Sequence, residues 1–400
     1  MEQISNQKKL RPWMGVIVQA GFLGLFLTAG AAMQTAWGIP GLVTSELMFA
    51  IVAVIYCLIR GVKLKEMFPV KKVTVRDFFG ALFMAASAIL IGMIMVGFSI
   101  MIFPERFRSE LTGLSDFLYS STSFPVLLFV AAILPAICEE AMERGCVLSH
   151  FRPIKYDWVI ALIMGIFFGI MHMSVLRFLT TAAMGFILSY VMTKKNNILL
   201  PMLIHFFNNA FSVAVGSLTS GVDTSAAMEN INSLSTLGGY LVLGFAAPVL
   251  VVIGLLLLDP DNHKWYRFLI AGGISFTMLV GGFGLIGVSV LNNFNGPYLV
   301  NSQMSYEVTS EGENTPMDFG VAEGKEYHVT VKVKYVKGKY TIKLNDDEGN
   351  TLLQYSEDAS DDGEILYNAN IDLPQGDYHL EIISGDNSVG DHPTIYVVVK

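Results

Sequence analysis

The sequence predicts two kinds of structure in one chain. An all-α polytopic membrane domain of about nine transmembrane helices is followed by a small all-β, sandwich-like C-terminal domain. Hydropathy is the first sign. The 400 residues have a mean hydropathy of +0.53, with 53% hydrophobic and 15% charged residues, against about a quarter charged in a soluble domain. Charge is the second. Residues 1–292 hold 19 Lys+Arg and 15 Asp+Glu, whereas residues 293–400 hold 7 and 19, so the net charge of −8 divides into +4 and −12. The third is a change of period, from long apolar runs to an alternation of two. A tail this acidic argues against nucleic acid as a partner.

Apolar segments fall near 13–37, 43–61, 77–103, 125–149, 157–173, 178–193, 198–217, 237–258 and 268–292. The first follows Lys8, Lys9 and Arg11 and resembles a signal peptide at a glance. It reaches the ~20 residues needed to span a bilayer and lacks the short apolar core and convincing cleavage site of a signal peptide, so it reads as the first transmembrane helix. With the N-terminus inside, the inner segments collect fifteen Lys or Arg and the outer loops three, Arg106, Arg108 and Arg177. That bias orients a cell-membrane protein with a cytoplasmic N-terminus, and an odd number of spans leaves the C-terminal domain extracytoplasmic. Ser217–Leu234 is rich in Ser, Thr and Asn and reads as an outer loop. Cys57, Cys138 and Cys146 all lie in apolar segments and form no CxxC pair, which argues against a disulfide framework.

In the tail, Val329, Val331, Val333 and Tyr335 alternate with Thr330, Lys332 and Lys334. Tyr340, Ile342 and Leu344 alternate again, as do Tyr378, Leu380 and Ile382. Such alternation marks half-buried antiparallel strands. Turn residues stand between them at Lys337-Gly338-Lys339, Asp346 to Asn350 and Pro374 to Asp377. About seven short strands in this length make a small β-sandwich, over residues 302–400 after a linker at 293–301. The acidic stretch Asp358 to Glu364 lacks a calcium-loop spacing and reads as solvated surface.

Polar residues inside the apolar segments carry the chemistry. Glu139, Glu140, Glu143 and Arg144 interrupt the fourth segment, and ionisable groups at membrane depth mark functional sites. Glu140 and Arg144 are four apart and share a helix face, with the acid first, the favourable order. Glu139 projects ~100° away. One carboxylate is then held by Arg144 while the other faces a cavity as a general base for water, and the bland alternative is an ion-pair cluster that only fixes helix packing. His172 ends the fifth segment, with Phe168 four residues earlier on the same face. In the seventh, His205 and Asn209 share a face, with Asn208 beside them. Imidazole and amide N–H groups near a carbonyl can stabilise a developing oxyanion, or else make interhelical hydrogen bonds.

A zinc site is the rival chemistry, since Glu139, His172 and His205 would supply three ligands and leave a fourth position for water. No HExxH or other close ligand pair is present, so the metal-free reading is preferred. Depth is a check on the cluster. Counting residues from the helix ends puts Glu139 ~9 Å and His205 ~10 Å from the inner face, but His172 ~24 Å.

The three segments read Glu139-Glu140-Ala-Met-Glu-Arg144, Phe168-Gly-Ile-Met-His172 and His205-Phe-Phe-Asn-Asn209. In this order they resemble the EExxxR, FxxxH and HxxxN/D motifs of the CPBP family of intramembrane proteases, which includes CAAX prenyl proteases and bacterial Abi-type immunity proteins. The resemblance implies a protease core at about 125–217. It implies Glu139 and His172 as the water-activating pair, His205 and Asn209 as the oxyanion site, and Glu140, Arg144 and Phe168 in support. It also implies a cavity open to lipid and cytoplasm, and an endopeptidase for a membrane protein or peptide substrate, in CAAX-type processing, peptide maturation or bacteriocin self-immunity. Glu143 stands where the family often has an aromatic or aliphatic residue, and the acidic β-domain is an addition whose envelope partner the sequence does not name. Two other readings are a catalytically silent immunity or scaffold protein and a transporter. The intact motif set argues against the first. The absence of inverted repeats argues against the second.

Overall fold

The computed structural model describes residues 10–103, 122–219, 233–262, 264–295, 300–359 and 363–400. Arg106, Arg108, most of the Ser217–Leu234 segment, part of the 293–301 linker and the middle of the Asp358–Glu364 stretch lie outside the described residues. The chain divides into two compact units, Met1–Ser289 and Val290–Lys400.

Among the described residues of the first unit, eight helices are long and apolar enough to cross a membrane. They are α1 (Pro12–Trp37), α2 (Ile39–Arg60), α3 (Val75–Ile102), α4 (Phe124–His150), α6 (Val175–Lys195), α7 (Leu199–Thr219), α8 (Leu234–Leu258) and α9 (Tyr266–Val290). The ninth expected span corrects to a shorter helix, α5 (Asp157–Met171, 15 residues). It rises ~22 Å, less than the ~30 Å hydrocarbon core. It is instead one arm of a close hairpin with α6. A Cβ added at Gly165 would stand 2.7 Å from the Ala182 carbonyl oxygen, and one at Gly185 would stand 2.7 Å from Phe168 Cβ, so only glycine admits this approach.

Polar contacts tie the loops at one end of the unit. Thr74 caps α3, its hydroxyl accepting from Asp77 N at 3.1 Å while Asp77 accepts from Thr74 N. Asp77 also pairs with Lys195 at 2.8 Å, and Lys194 pairs with Asp157 at 2.7 Å. The starts of α3 and α5 therefore sit beside the end of α6. Asn196, with φ 46°, ends α6 in the left-handed region, and the Asn197 amide bonds both backbone groups of Lys71.

Helix α4 carries the local irregularity. Pro125 sits in its first turn and Pro135 within its body. Turns of the π type span Phe129–Ile133 and Ala141–Val147, five and seven residues. A proline inside a helix has no N–H for the carbonyl four residues back and crowds it, and π turns of this sort recur at functional sites.

The second unit is a sandwich of eight strands, one more than expected. They are β1 (Val300–Ser305), β2 (Asn314–Val321), β3 (Lys325–Lys334), β4 (Lys339–Asp346), β5 (Thr351–Asp358), β6 (Glu364–Leu373), β7 (Gly376–Ser384) and β8 (Thr394–Val399). They form two antiparallel sheets, ordered β1-β8-β3-β6 and β2-β7-β4-β5. One core joins them, built from the alternating residues of both: Val329, Val331 and Val333 against Tyr340, Ile342, Leu344, Leu380 and Ile382. Two expectations are corrected. Strand β1 begins inside the supposed 293–301 linker, with Val300 opposite Val399. Tyr335 does not continue β3: its backbone turns to φ 62° and its side chain is 65% exposed.

Candidate active site

The two adjacent glutamates of α4 end in different situations. Glu140 is fully buried, and its Oε1 accepts from Arg144 Nη1 at 2.9 Å and from His205 Nδ1 at 2.9 Å. Arg144 is also fully buried. Its Nη2 donates to the Gly185 carbonyl at 3.1 Å. The close approach at Gly185 that draws α5 and α6 together therefore also presents a carbonyl to the guanidinium. The chain Gly185–Arg144–Glu140–His205 links α6, α4 and α7. A charge-assisted network of this kind is strong where water is excluded.

Phe168 is the apolar centre of the cluster. It is buried, and its ring lies 4.5 Å from the Arg144 guanidinium carbon, 4.8 Å from the His172 ring and 5.8 Å from the His205 ring. The expected Phe168–His172 contact is therefore present, and both imidazoles share one phenyl ring. This corrects the depth count, which had set His172 well apart from His205. Residues along a helix measure path, not height, and α5 is shorter than the bilayer core.

The ring nitrogens are assigned by their partners. His172 Nδ1 lies 2.8 Å from the Phe168 carbonyl oxygen, which can only accept, so Nδ1 carries the hydrogen and the neutral ring keeps Nε2 as an acceptor. That carbonyl is available because the last turn of α5 tightens, His172 N bonding Gly169 O and Met173 N bonding Ile170 O. His205 Nδ1 is committed to Glu140, which leaves Nε2 for a substrate.

Asn209 meets α4 rather than His205. Its Nδ2 donates to the Ala131 carbonyl at 3.1 Å, and its Oδ1 accepts from Asn208 at 3.3 Å. Ala131 is four residues before Pro135, which has no N–H to offer it. The proline thus frees the carbonyl that holds Asn209, a pairing readable in the sequence only with the fold in hand.

Glu139 is half-buried, and among the described residues no hydrogen bond or ion pair holds it. Four charged groups act on it: Glu46, His205, Glu140 and Arg144. Glu46 was missed in the sequence, although an acid inside the 43–61 apolar segment is itself a signal. It lies on α2, which packs along α4, is 6% exposed, and leaves Oε2 buried and unpartnered. Glu143 does not join the cluster. It turns to α1, where it accepts from Gln19 Nε2 at 2.9 Å.

Among the described residues no three His, Cys, Asp or Glu side chains gather as a metal site. The unit also has a cavity of ≈ 530 Å³ between α3, α5, α6 and α8, lined by Met84, Leu162, Ile166, Phe186 and Leu255 among others. None of the polar residues above lines it.

Residues 121–211 match the family model described as type II CAAX prenyl endopeptidase Rce1-like. No curated protein was found to match the chain. Among solved structures, the chain is 23% identical to the pre-peptidase C-terminal domain of a collagenase from Bacillus anthracis, over 25% of this chain and 90% of that one, with a TM-score of 0.20. A carbohydrate-binding module of a lichenase from Cellvibrio mixtus is 11% identical, over 26% and 89%, with a TM-score of 0.19. Likenesses this distant carry no functional argument. The matched segment spans α4 to the middle of α7 and contains all three motifs, so residues 121–211 of this multi-pass membrane protein form an Rce1-like domain of the type II CAAX prenyl endopeptidase family.

Proposed function

We propose that the protein is an intramembrane endopeptidase that cleaves peptide bonds at or within the membrane, using water activated by Glu139 and His172 without a metal. The observation that carries this reading is the contrast between neighbours. Glu140 is fixed by Arg144 and His205, while Glu139, one residue away, is left without a partner among the described residues. A carboxylate free to accept and a neutral imidazole with a free Nε2 are what a water molecule needs for deprotonation and orientation. Water attacks the peptide carbonyl as Glu139 takes one of its protons. With its Nδ1–H given to Glu140, His205 offers an Nε2–H only in its charged form, and in that form Nε2 and the second Asn209 N–H are the donors for the resulting oxyanion. Glu140 and Arg144 hold the His205 ring in one orientation.

The metal-free form is preferred because the sequence holds no HExxH or other close ligand pair; His205, with Nδ1 on Glu140, presents Nε2 equally to a substrate or to a metal. The silent-scaffold reading is weakened by the unpaired Glu139, which a purely structural cluster would have neutralised.

We also infer a cytoplasmic N-terminus and an extracytoplasmic β-sandwich. The Lys194–Asp157 pair puts both ends of the α5–α6 hairpin on one side, so the short α5 leaves the parity of the chain unchanged. The excess of Lys and Arg marks that side as the inner one. Cysteine-accessibility labelling from either face tests this; label reaching the sandwich only from the cytoplasm would reverse it.

The test of the activity is cleavage of a library of membrane-proximal peptides by the purified protein, beside Glu139→Ala and with a strong chelator. Cleavage lost in the variant and kept in the chelator is expected. Loss in chelator with rescue by zinc would move the site to metal chemistry, and equal cleavage by Glu139→Ala would remove the base.

A further inference from the structure

The carboxyl groups buried around α4 are not equivalent. Glu140 has Arg144 and His205, and Glu143 has Gln19. Glu139 and Glu46 have no hydrogen bond or ion pair among the described residues. Helix α2, which carries Glu46, packs along the Leu134–Val147 part of α4. Glu46 is one of the charged groups that act on Glu139, and it acts on Cys138 as well. Its Oε2 is buried and unsatisfied. Two carboxylates in one largely apolar site repel each other more strongly than they would in bulk water. One negative charge shared by the pair is the lower-energy state, as in known carboxyl dyads.

The site as described also lacks an acid separate from its base. Neutral His172 presents an acceptor, because its hydrogen is on the nitrogen bonded to Phe168 O. The Nδ1 hydrogen of His205 is given to Glu140, and the Nε2 hydrogen of its charged form is held in the oxyanion contact. Without another donor, Glu139 must both take the proton from water and return it to the amine.

We propose that Glu46 is the second catalytic carboxyl of this site, protonated when Glu139 is ionised, and the proton donor to the leaving nitrogen. The proposal rests on Glu139 being the base. Water oxygen bonds to the peptide carbon as one water proton passes to Glu139. The C–N bond then breaks with its electron pair on nitrogen, and nitrogen takes the proton of Glu46. The products are a carboxylic acid and an amine. The pair is left with its proton on Glu139, and transfer of that proton to Glu46 restores the starting state. The charged groups that enter this balance are Glu46, Glu139, Glu140, Arg144 and His205, with Cys138 beside them.

The first test needs no substrate. Dicyclohexylcarbodiimide modifies protonated carboxyl groups in apolar surroundings. The full-length protein in lipid nanodiscs is treated at neutral pH and mapped by peptide mass spectrometry. Labelling of Glu46, with Glu139 essentially unlabelled, is expected, and Glu46 keeps its label in Glu139→Gln. An unlabelled Glu46, when an acidified sample labels it, would overturn the proposal. The second test uses a peptide that the wild type cleaves. Glu46→Gln is expected to lower kcat by about 10²-fold with little change in KM and to remove the alkaline limb of the pH profile, with partial recovery in Glu46→Asp. Cleavage lost in Glu139→Gln but unchanged in Glu46→Gln would overturn the pair and leave the base standing. Unchanged cleavage in both would overturn the base as well.

Discussion

The β-sandwich and the helix cluster around α4 both bury carboxylates, and they treat them in opposite ways. In the β-sandwich, Asp391 is 7% exposed. Its Oδ2 accepts from Lys337 N at 2.8 Å, Gly338 N at 3.1 Å and the Tyr340 hydroxyl at 3.2 Å. One side chain thereby closes the turn between β3 and β4. Around α4, Glu140 and Glu46 each keep one buried oxygen without a partner, and Arg144 keeps Nε unpaired. Buried polar groups in native proteins are normally satisfied, and the exceptions ask for an explanation. The satisfied carboxylate reads as structure. The half-satisfied cluster, on a helix already distorted by Pro135 and its π turns, reads as a site kept open for a substrate and water.

Substitutions can break that comparison, and the largest effect falls at Arg144. Arg144→Met leaves Glu140 buried without its cation, a loss of about 3–5 kcal/mol. It should lower the thermal midpoint of the detergent-solubilised protein and abolish cleavage together. An unchanged midpoint would mean that the ion pair is not structural. Asp391→Ala should come next. The loss of a buried carboxylate with three donors amounts to about 3 kcal/mol, read as faster hydrogen exchange in β3, β4 and β8 of the full chain. Peptide cleavage should be untouched, and a fall in cleavage would show that the two units are not functionally separate.

Pro135→Ala sharpens the account of α4. The new N–H can bond the Ala131 carbonyl and compete with Asn209. We expect stability to rise by about 1 kcal/mol or more, since an interior proline is unfavourable by ~3 kcal/mol, while kcat falls. A fall in both would show that the proline is needed for folding rather than for aiming Asn209. The smallest effect is a pH dependence in the sandwich. Asp318 accepts from His379 Nδ1 at 2.6 Å and holds the imidazole above its ordinary value near 6.5. A raised folded value means that the contribution is complete below 6.5 and is lost as pH rises through the folded value. Exchange in β2 and β7 should therefore quicken slightly on that rise beyond its intrinsic pH dependence, and Asp318→Asn should remove the excess. An excess that persists in Asp318→Asn would assign it to another group.

Local relations were legible in the sequence, and relations between helices were not. Helix geometry alone joins Glu140 to Arg144 and Phe168 to His172. The choice of Glu140, rather than Glu139, as the His205 partner depends on where α7 meets α4. Gln19 bonds Glu143 from α1 and Glu46 acts on Glu139 from α2, relations that no spacing in the chain encodes. Helix α5 read as a span because its composition is apolar, but its length is set by the hairpin with α6. In the tail, Val329–Val333 and Tyr340–Leu344 were legible because central strands bury one full face. Strands β1 and β5 lie at sheet edges, where few side chains are buried, and their pattern is correspondingly faint. Tyr335 keeps the alternation of β3 but leaves the strand at φ 62°, a turn that the period cannot reveal.

The central claim is that Glu139 is unpaired because it works. The most direct measurement sets cleavage of a wild-type substrate peptide beside the thermal midpoint for Glu139→Gln. The account predicts cleavage lower by about 10²–10⁴-fold, with a midpoint unchanged or raised, because a half-buried acid without a partner among the described residues has become a neutral amide. A midpoint that drops while cleavage survives would contradict it, and would make Glu139 part of the packing.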